Sequence, residues 1–594
     1  MHISTLPIGY DDYGSILDQK LTIVDKSLFI KDVIEDQAQV LLITRPRRFG
    51  KTLNLSLLRY FFAESVIGRP TRGLFDHLKI SQYPPCMAHQ GKYPVISLTF
   101  KDLKKPDYPT AYLAIGYMLA ELYAEHANVL CTSEKITRVE QQKIQSIIER
   151  NADPITLQMA LKDLTAYLYR LTGVKPIILI DEYDTPIQAA YINDYYAEMM
   201  CFMREFLGAG LKNNLSLHKA VLSGILQVAK ESLFSGLNNL KVYSLLHPAY
   251  SQYFGFTEPE VHALFQAAQL SEEEYHQVQD WYNGYQVGGT RIYNPWSIAN
   301  YLNDIISFKR NFSSSQGISP EFMDYVNRTF FKLYWVNTSD NVLIKELLLK
   351  SKLSIKEKLT GLLQNQPLEV IIDEEFVYPD LGRGETAFWS LFLMSGYLKA
   401  TGSKIVNGRL MQTIAIPNQE VRSLYRSIIE DWLVNDEDIH WYDDFLMHLL
   451  TGNVVLFEEA LRQIILQIAS YHDLARSPEA FYHGLLLGLS ASLNANEYLL
   501  YSNRESGLGR YDLAIIPHDP ERLGILIELK AIKLPKALSK QVALLQKEAT
   551  RALAQMEAHQ YMTEFRQHGI HRVCQMGIAF CGKTLKIAHV IRDT

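Results

Sequence analysis

Short aliphatic runs alternate with longer segments of helical periodicity through roughly the first 250 positions. The runs Val40 to Thr44 (VLLIT), Pro94 to Phe100 (PVISLTF), Pro176 to Asp181 (PIILID) and Lys219 to Gly224 (KAVLSG) are continuous and apolar, as strands covered on both faces are. The first precedes a loop and an apolar-periodic helix from Thr52 to Phe62. This alternation predicts an α/β layer with a parallel sheet. From about Thr257 to Leu450 the spacing is mostly helical, with polar interruptions at Asn311 to Ser319 and Gln364 to Pro367, the first being the best loop candidate in mid-chain. After about Leu474 the pattern predicts a helix from Pro478 to Ser492, two strands, a long helix from Leu538 to Arg566, and strands from Val573 onward.

Composition narrows the class. The chain has 594 residues, with 47% hydrophobic and 21% charged, enough for several cores and opposed to wholesale disorder. The net charge of −6 means that any nucleic-acid contact is local. Cys86, Cys131, Cys201, Cys574 and Cys581 are scattered and form no C-x-x-C, which disfavours a disulfide scaffold and structural zinc. The N-terminus shows no signal peptide, and the most apolar stretch, around Tyr112 to Ala120, is about half a membrane span. A soluble cytoplasmic protein without membrane partners is the expectation.

Arg45 to Thr52 (RPRRFGKT) lies between a predicted buried strand and a helix. A phosphate loop reads G-x-x-x-x-G-K-[ST]: backbone N–H groups wrap phosphates, Lys neutralises them, and the hydroxyl holds Mg²⁺. Gly50, Lys51 and Thr52 fit, whereas Arg45 replaces the first Gly, so the loop entry is expected to differ. Asp181, ending a buried strand, would orient Mg²⁺ through water, and Glu182 would polarise the attacking water. Asp184 reads as a helix cap. Arg47 and Arg48 could meet phosphates, the nucleobase edge or only solvent. Ser223, with Gln227 or Lys230 nearby, could sense the γ-phosphate or merely form a strand-to-helix turn. The aromatic segment WYNGYQVGGTRIYNPW suits base stacking or, more blandly, a packed lid.

Near the end, Arg510 to Ile516 and Gly524 to Lys530 read as strands around a turn from Pro517 to Arg522. Asp512 and Glu528 are equidistant from Pro520, so a simple antiparallel hairpin sets them opposite each other on one face, with Lys530 on that face too. Two such carboxylates repel unless a cation joins them, and that cation can activate water for phosphodiester attack. Lys530 could orient or deprotonate the water or stabilise the pentavalent phosphate. A surface salt bridge is the competing reading. From Lys530 to Arg551 six basic residues face one acidic residue, Glu548, as either a phosphate-tracking or a solvated helix face.

The strings LPIGYDDYGSILDQKLTIVDKSLFI, RPRRFGKT, DEYDTPI and AKESLFSGLNNL, continued by FGFTE and WYNGY…IYNPWSI, resemble the bacterial AAA-ATPase-like proteins that carry a C-terminal PD-(D/E)XK nuclease domain. Arg in place of the first Gly is itself similar to that family's pattern. EAFYHGLLLGL, SNRESGLGRYD, IELK and GIAFCGK resemble the nuclease domain over about Pro478 to Val590. The resemblance implies Asp512 and Glu528 as metal ligands, Lys530 as the catalytic lysine, and, more weakly, Glu479 as a further ligand and Gln555 as a nearby helix glutamine. Tyr511 stands where the motif has Pro, and Glu505 and Arg510 are read as a structural pair. The implied architecture is a P-loop ATPase domain with a parallel sheet (residues 1–255), a mostly helical, winged-helix-like middle region (256–450) and a nuclease-like α/β domain (474–594). The implied cofactors are ATP and Mg²⁺, with nucleic acid as partner, DNA before RNA, and a homo-oligomer compatible. The alternative is an ATP-dependent regulatory scaffold whose nuclease-like domain only binds partners.

Overall fold

The computed structural model describes residues 5–131, 133–227, 239–312, 331–335, 342–349, 351, 353–433, 440–468, 478–490, 493, 497–506, 509–532, 538–559 and 561–594. Two compact units divide the chain: Met1–Leu343 with Glu369–Val421, and Ile344–Leu368 with Arg422–Thr594. The middle region is thus shared between the units and is not a block of its own.

In the first unit, β1 (Val40–Thr44), β2 (Val95–Thr99), β3 (Ile177–Asp181), β4 (Lys219–Gly224) and β5 (Leu240–Tyr243) form a parallel sheet in the order β2-β3-β4-β1-β5. The first four coincide with the apolar runs. Every residue of β1 and β3 is buried, so only their last positions, Thr44 and Asp181, are polar. Each fully buried Leu or Ile there contributes about 1.5–3 kcal/mol. The chain order reverses at β1, and the crevice beyond the strand ends at such a switch point is where α/β sheets bind ligands. Gly50 (φ 81°) turns the chain from β1 into α1 (Lys51–Phe62). The helix Thr185–Ile192, α2, follows β3.

The middle region holds more strand than its periodicity suggests. β6 (Phe256–Thr257), β7 (Tyr285–Val287) and β8 (Thr290–Tyr293) form one small antiparallel sheet, too short to carry a period-2 signal. Next comes α3 (Pro295–Phe312). β9 (Leu368–Ile371), β10 (Lys399–Val406) and β11 (Arg409–Ala415) form another small sheet, with β10 at the edge and largely exposed. A helix ahead of this hairpin, α4 (Glu385–Met394), gives a winged-helix order, but α4 is buried from Ala387 to Met394 and presents no face to a DNA groove. α5 (Gln419–Leu433) comes next. Gln364 and Asn365 do form a turn, whereas most of Asn311 to Ser319 lies outside the described residues.

In the second unit, α6 (Pro478–Ser490) leads into a mixed sheet of β12 (Tyr498–Ser506), β13 (Gly509–Pro517), β14 (Gly524–Ala531), β15 (Arg572–Cys581) and β16 (Thr584–Asp593), in that order. Three strands, not two, precede the long helix. The unexpected one, β12, is an edge strand ending in the polar Asn503 to Ser506, which masks its pattern. That helix, α7 (Leu538–Ala558), is also shorter than expected. A separate helix, Thr563–Gln567, follows it, and the Tyr561 hydroxyl pins the break by donating to the Arg510 carbonyl at 2.8 Å.

α7 lies against β15 at Gly577, where an added Cβ would come within 2.1 Å of the Ala549 carbonyl oxygen and 3.0 Å of the Ala552 Cβ. Only glycine allows this approach. Gly577→Ala is expected to destabilise this unit by about 1–3 kcal/mol through overpacking, as read by urea unfolding. An unchanged midpoint would contradict the close-packing account.

Candidate functional site

The departure at Arg45 has a structural cause. Its guanidinium is fully buried. Nη1 donates to the carbonyls of Thr44 (2.8 Å), Tyr243 (2.9 Å) and Ser244 (2.8 Å), and Nη2 donates to Ala249 (3.3 Å). The ring of Phe254 lies 5.4 Å from the guanidinium carbon. Burial pulls this guanidinium down to about 9. The arginine therefore ties the loop entry to the residues after β5, while Arg48 (φ 64°) and Gly50 (φ 81°) supply the left-handed turns.

Lys51 is buried, and its ammonium donates to the loop's own carbonyls at Arg45 (3.0 Å) and Pro46 (2.8 Å). Burial lowers its pKa, against the nearby charges of Glu182, Asp181 and Asp184. The Thr52 hydroxyl donates to Asp181 Oδ2 at 2.6 Å, and the Ser223 hydroxyl donates to Asp181 Oδ1. Burial raises the Asp181 pKa, and the two hydroxyls partly offset this. Glu182 is half-buried with φ 51°, a strained backbone for a non-glycine residue, and accepts from the Thr185 hydroxyl at 3.2 Å. A groove of about 710 Å³ between α1 and the helix Tyr108–Glu125 reaches Thr52 and Asp181.

Asp184 is not the expected cap. Its side chain makes no capping bond to α2 and instead accepts from the backbone N–H groups of Ile225 (2.8 Å) and Leu226 (3.0 Å). It braces the end of β3 against the end of β4, which fixes Asp181 beside Ser223. Arg47 donates to Gln188 Oε1 at 3.1 Å, and Arg48 stacks on Trp296 at 4.2 Å. Phe49 packs edge-on against Tyr285, with ring centroids 5.0 Å apart. The aromatic segment of the middle region is thus a packed lid on the loop. Gln227 follows Leu226 in the chain, and Lys230 falls outside the described residues.

The second cluster lies in the other unit. The ladder between β13 and β14 pairs Leu513 with Ile527, a register whose next step sets Asp512 opposite Glu528. Ladder pairing ends at Leu513, and Asp512 Oδ2 instead accepts the Leu529 N–H at 2.7 Å. Glu528 is buried. Its Oε1 accepts from Lys530 Nζ at 3.1 Å and from Gln555 Nε2, on α7, at 2.6 Å. Asp512, Glu528, Lys530 and Gln555 therefore come together. Glu479 is on α6, four residues before His483, and its side chain lies outside the described residues. Tyr511 fills the core, and its hydroxyl donates to Glu564 at 2.6 Å. Glu505 and Arg510 are cross-strand neighbours.

His483 is a residue that sequence reasoning missed. Buried on α6, its Nε2 lies 3.1 Å from the Asp512 carbonyl oxygen and 2.9 Å from the Ser502 hydroxyl, so it pins the metal-ligand candidate's backbone. A lone histidine in the apolar stretch AFYHGLLLGL was the available signal. Among the described residues no three His, Cys, Asp or Glu side chains form a metal cage. Each cluster offers hard oxygen donors in small number, which suits Mg²⁺ completed by substrate phosphate and water. Among the described residues no helix is long and apolar enough to cross a membrane.

The family model for a predicted AAA-ATPase matches residues 7–234, and that of the PD-(D/E)XK nuclease superfamily matches residues 477–590. An uncharacterized protein in the vnfD 5′ region of Azotobacter chroococcum mcd 1 is 23% identical over 572 residues, covering 95% of this chain and 94% of the relative. A Walker-type ATPase of Pyrococcus abyssi aligns with a TM-score of 0.35 at 12% identity, over 67% of this chain and 94% of that one.

The role found for Arg45 yields an expectation opposite to simple motif repair. Arg45→Gly restores the usual loop spelling yet leaves four carbonyls, three of them in buried bonds, without this donor. It should cost about 3 kcal/mol or more of stability, seen as a lowered unfolding midpoint. A variant as stable as wild type would contradict the stapling role.

Proposed function

We propose that this chain, an AAA-ATPase-like protein with a C-terminal PD-(D/E)XK nuclease-superfamily domain, is an ATP-driven switch coupled to a metal-dependent nuclease. Residues 1–255 bind and hydrolyse ATP, 256–450 relay the nucleotide state, and 474–594 cut nucleic-acid phosphodiesters, DNA before RNA. The observation that carries the nuclease reading is the convergence of Lys530 and Gln555 on buried Glu528 beside Asp512. A surface ion pair needs neither the glutamine nor the second carboxylate.

The residues divide the chemistry as follows. Lys51 and the loop N–H groups from Arg47 to Thr52 neutralise the phosphates. Thr52 and Asp181 would hold Mg²⁺ there, and Asp512 and Glu528, with Glu479, would hold it in the second cluster. The ion supplies Lewis acidity and lowers the pKa of bound water. Glu182 accepts the proton of the water that attacks the γ-phosphate. Lys530 leaves its ion pair to orient the hydrolytic water and offset the charge on the pentavalent phosphate.

A second reading, a nucleotide-dependent scaffold, is favoured by the same 3.1 Å Lys530–Glu528 pair, which balances the two opposite charges without a metal. Cleavage of plasmid, single-stranded DNA and RNA with Mg²⁺ or Mn²⁺, with and without ATP, separates the two. The nuclease reading expects metal-dependent cutting, reduced about 100-fold or more by Lys530→Ala or Asp512→Asn. Equal inertness of wild type and Lys530→Ala under every condition would leave only the scaffold.

A further inference from the structure

Four consecutive residues of the phosphate loop are gripped by residues distant in sequence. Pro46 packs on Gly396, where an added Cβ would meet the proline Cβ at 2.9 Å. The Arg47 carbonyl accepts from Trp335 Nε1 at 3.1 Å. Arg48 stacks on Trp296, and Phe49 packs edge-on against Tyr285. The two tryptophans converge on one buried group. Glu420, fully buried in the first turn of α5, accepts from the Trp335 backbone N–H through Oε1 at 2.6 Å. Its Oε2 accepts from the hydroxyl of Ser297, Trp296's neighbour, at 2.8 Å.

A buried carboxylate is a costly way to fill space, since apolar packing of the same volume holds a fold as well or better. Its position above the loop gives it a different task. In a planar trans peptide the carbonyl of one residue and the N–H of the next point in opposite directions. Holding the Arg47 carbonyl toward Trp335 therefore turns the Arg48 N–H to the other side. With Arg48 in a left-handed conformation, such a sequence forms the concave N–H nest that binds anions. Were this peptide to flip, a carbonyl oxygen would face the phosphates.

We propose that Glu420 is a positioning residue for nucleotide binding: through Trp335 and Ser297 it sets the Arg47–Arg48 peptide and the Arg48 side chain of the phosphate loop. The proposal rests on residues 45–52 being the ATP site. Glu420 touches no nucleotide; it fixes the groups that do. The lid thereby becomes part of the binding site, and Trp296 becomes a reader of Arg48, because a phosphate that draws the guanidinium away uncovers the indole.

The test uses the full chain, with ATP affinity from calorimetry, KM and kcat from steady-state turnover, and tryptophan fluorescence. Trp335→Phe keeps an aromatic ring but loses the Nε1–H bond to the Arg47 carbonyl, and Glu420→Ala loses the bonds to the Trp335 backbone N–H and the Ser297 hydroxyl. Each should weaken ATP binding about three- to tenfold and raise KM by more than kcat falls. Glu420→Gln keeps an acceptor for the Trp335 N–H and a partner for Ser297, and should restore near-wild-type affinity. ATP should change the fluorescence of wild type, and Trp296→Phe should lose most of that change. Wild-type affinity in Trp335→Phe and Glu420→Ala, with Lys51→Ala unable to bind, would overturn the role of Glu420. Wild-type binding by Lys51→Ala would instead remove the ATP-site reading beneath it.

Discussion

A buried carboxylate at the end of a fully apolar strand is the constraint on which the nucleotide-binding half depends. Asp181 ends β3 and is taken out of water by the sheet around it. Left alone, such a group would neutralise itself, and its pKa is indeed raised by burial. Two hydroxyls from different elements, Thr52 at the start of α1 and Ser223 at the end of β4, donate to it. Two neighbouring strands and the helix after the loop are thereby joined at one point. The same donor set is what a hard cation between protein and phosphate requires. The parallel order β2-β3-β4-β1-β5 makes this possible by placing β4 between the loop strand and the acidic strand.

The nuclease-like cluster is built on a different device, the parting of two strands. β13 and β14 pair through Leu513 and Ile527 and then separate. At that point the Asp512 side chain replaces the backbone as partner of the Leu529 N–H. Gln555 on α7 reaches Glu528 there, and Gly577 lets that helix lie close on β15. His483 then fixes Asp512 from the side of α6.

Much of this could be read from the sequence, because the informative residues are local. The four apolar runs became strands with bounds close to those expected, since continuous burial leaves no room for polar interruption. Equal spacing of Asp512 and Glu528 from Pro520 carried enough information to set their register. What could not be read is long-range. Glu420 stands in the first turn of a helix, where an acid is expected merely to complement the helix dipole, and nothing local says it is buried under Trp335. Arg45 reads as a defect in a glycine motif, because its partners Tyr243, Ser244 and Ala249 lie some 200 residues away. Asp184 likewise reads as a cap because its true partners, Ile225 and Leu226, belong to another strand's end. The edge strand β12 is not legible in the sequence because a sheet edge tolerates polar residues.

The most direct measurement of the central claim is a titration of the chain with a fluorescent ATP analogue in Mg²⁺ and in a chelator, for wild type and Asp181→Asn. If Asp181 and Thr52 hold the cation that accompanies the phosphates, Mg²⁺ tightens binding by wild type, and the variant loses that gain while still binding the nucleotide weakly. An Asp181→Asn chain whose affinity responds to Mg²⁺ as fully as wild type would contradict the account.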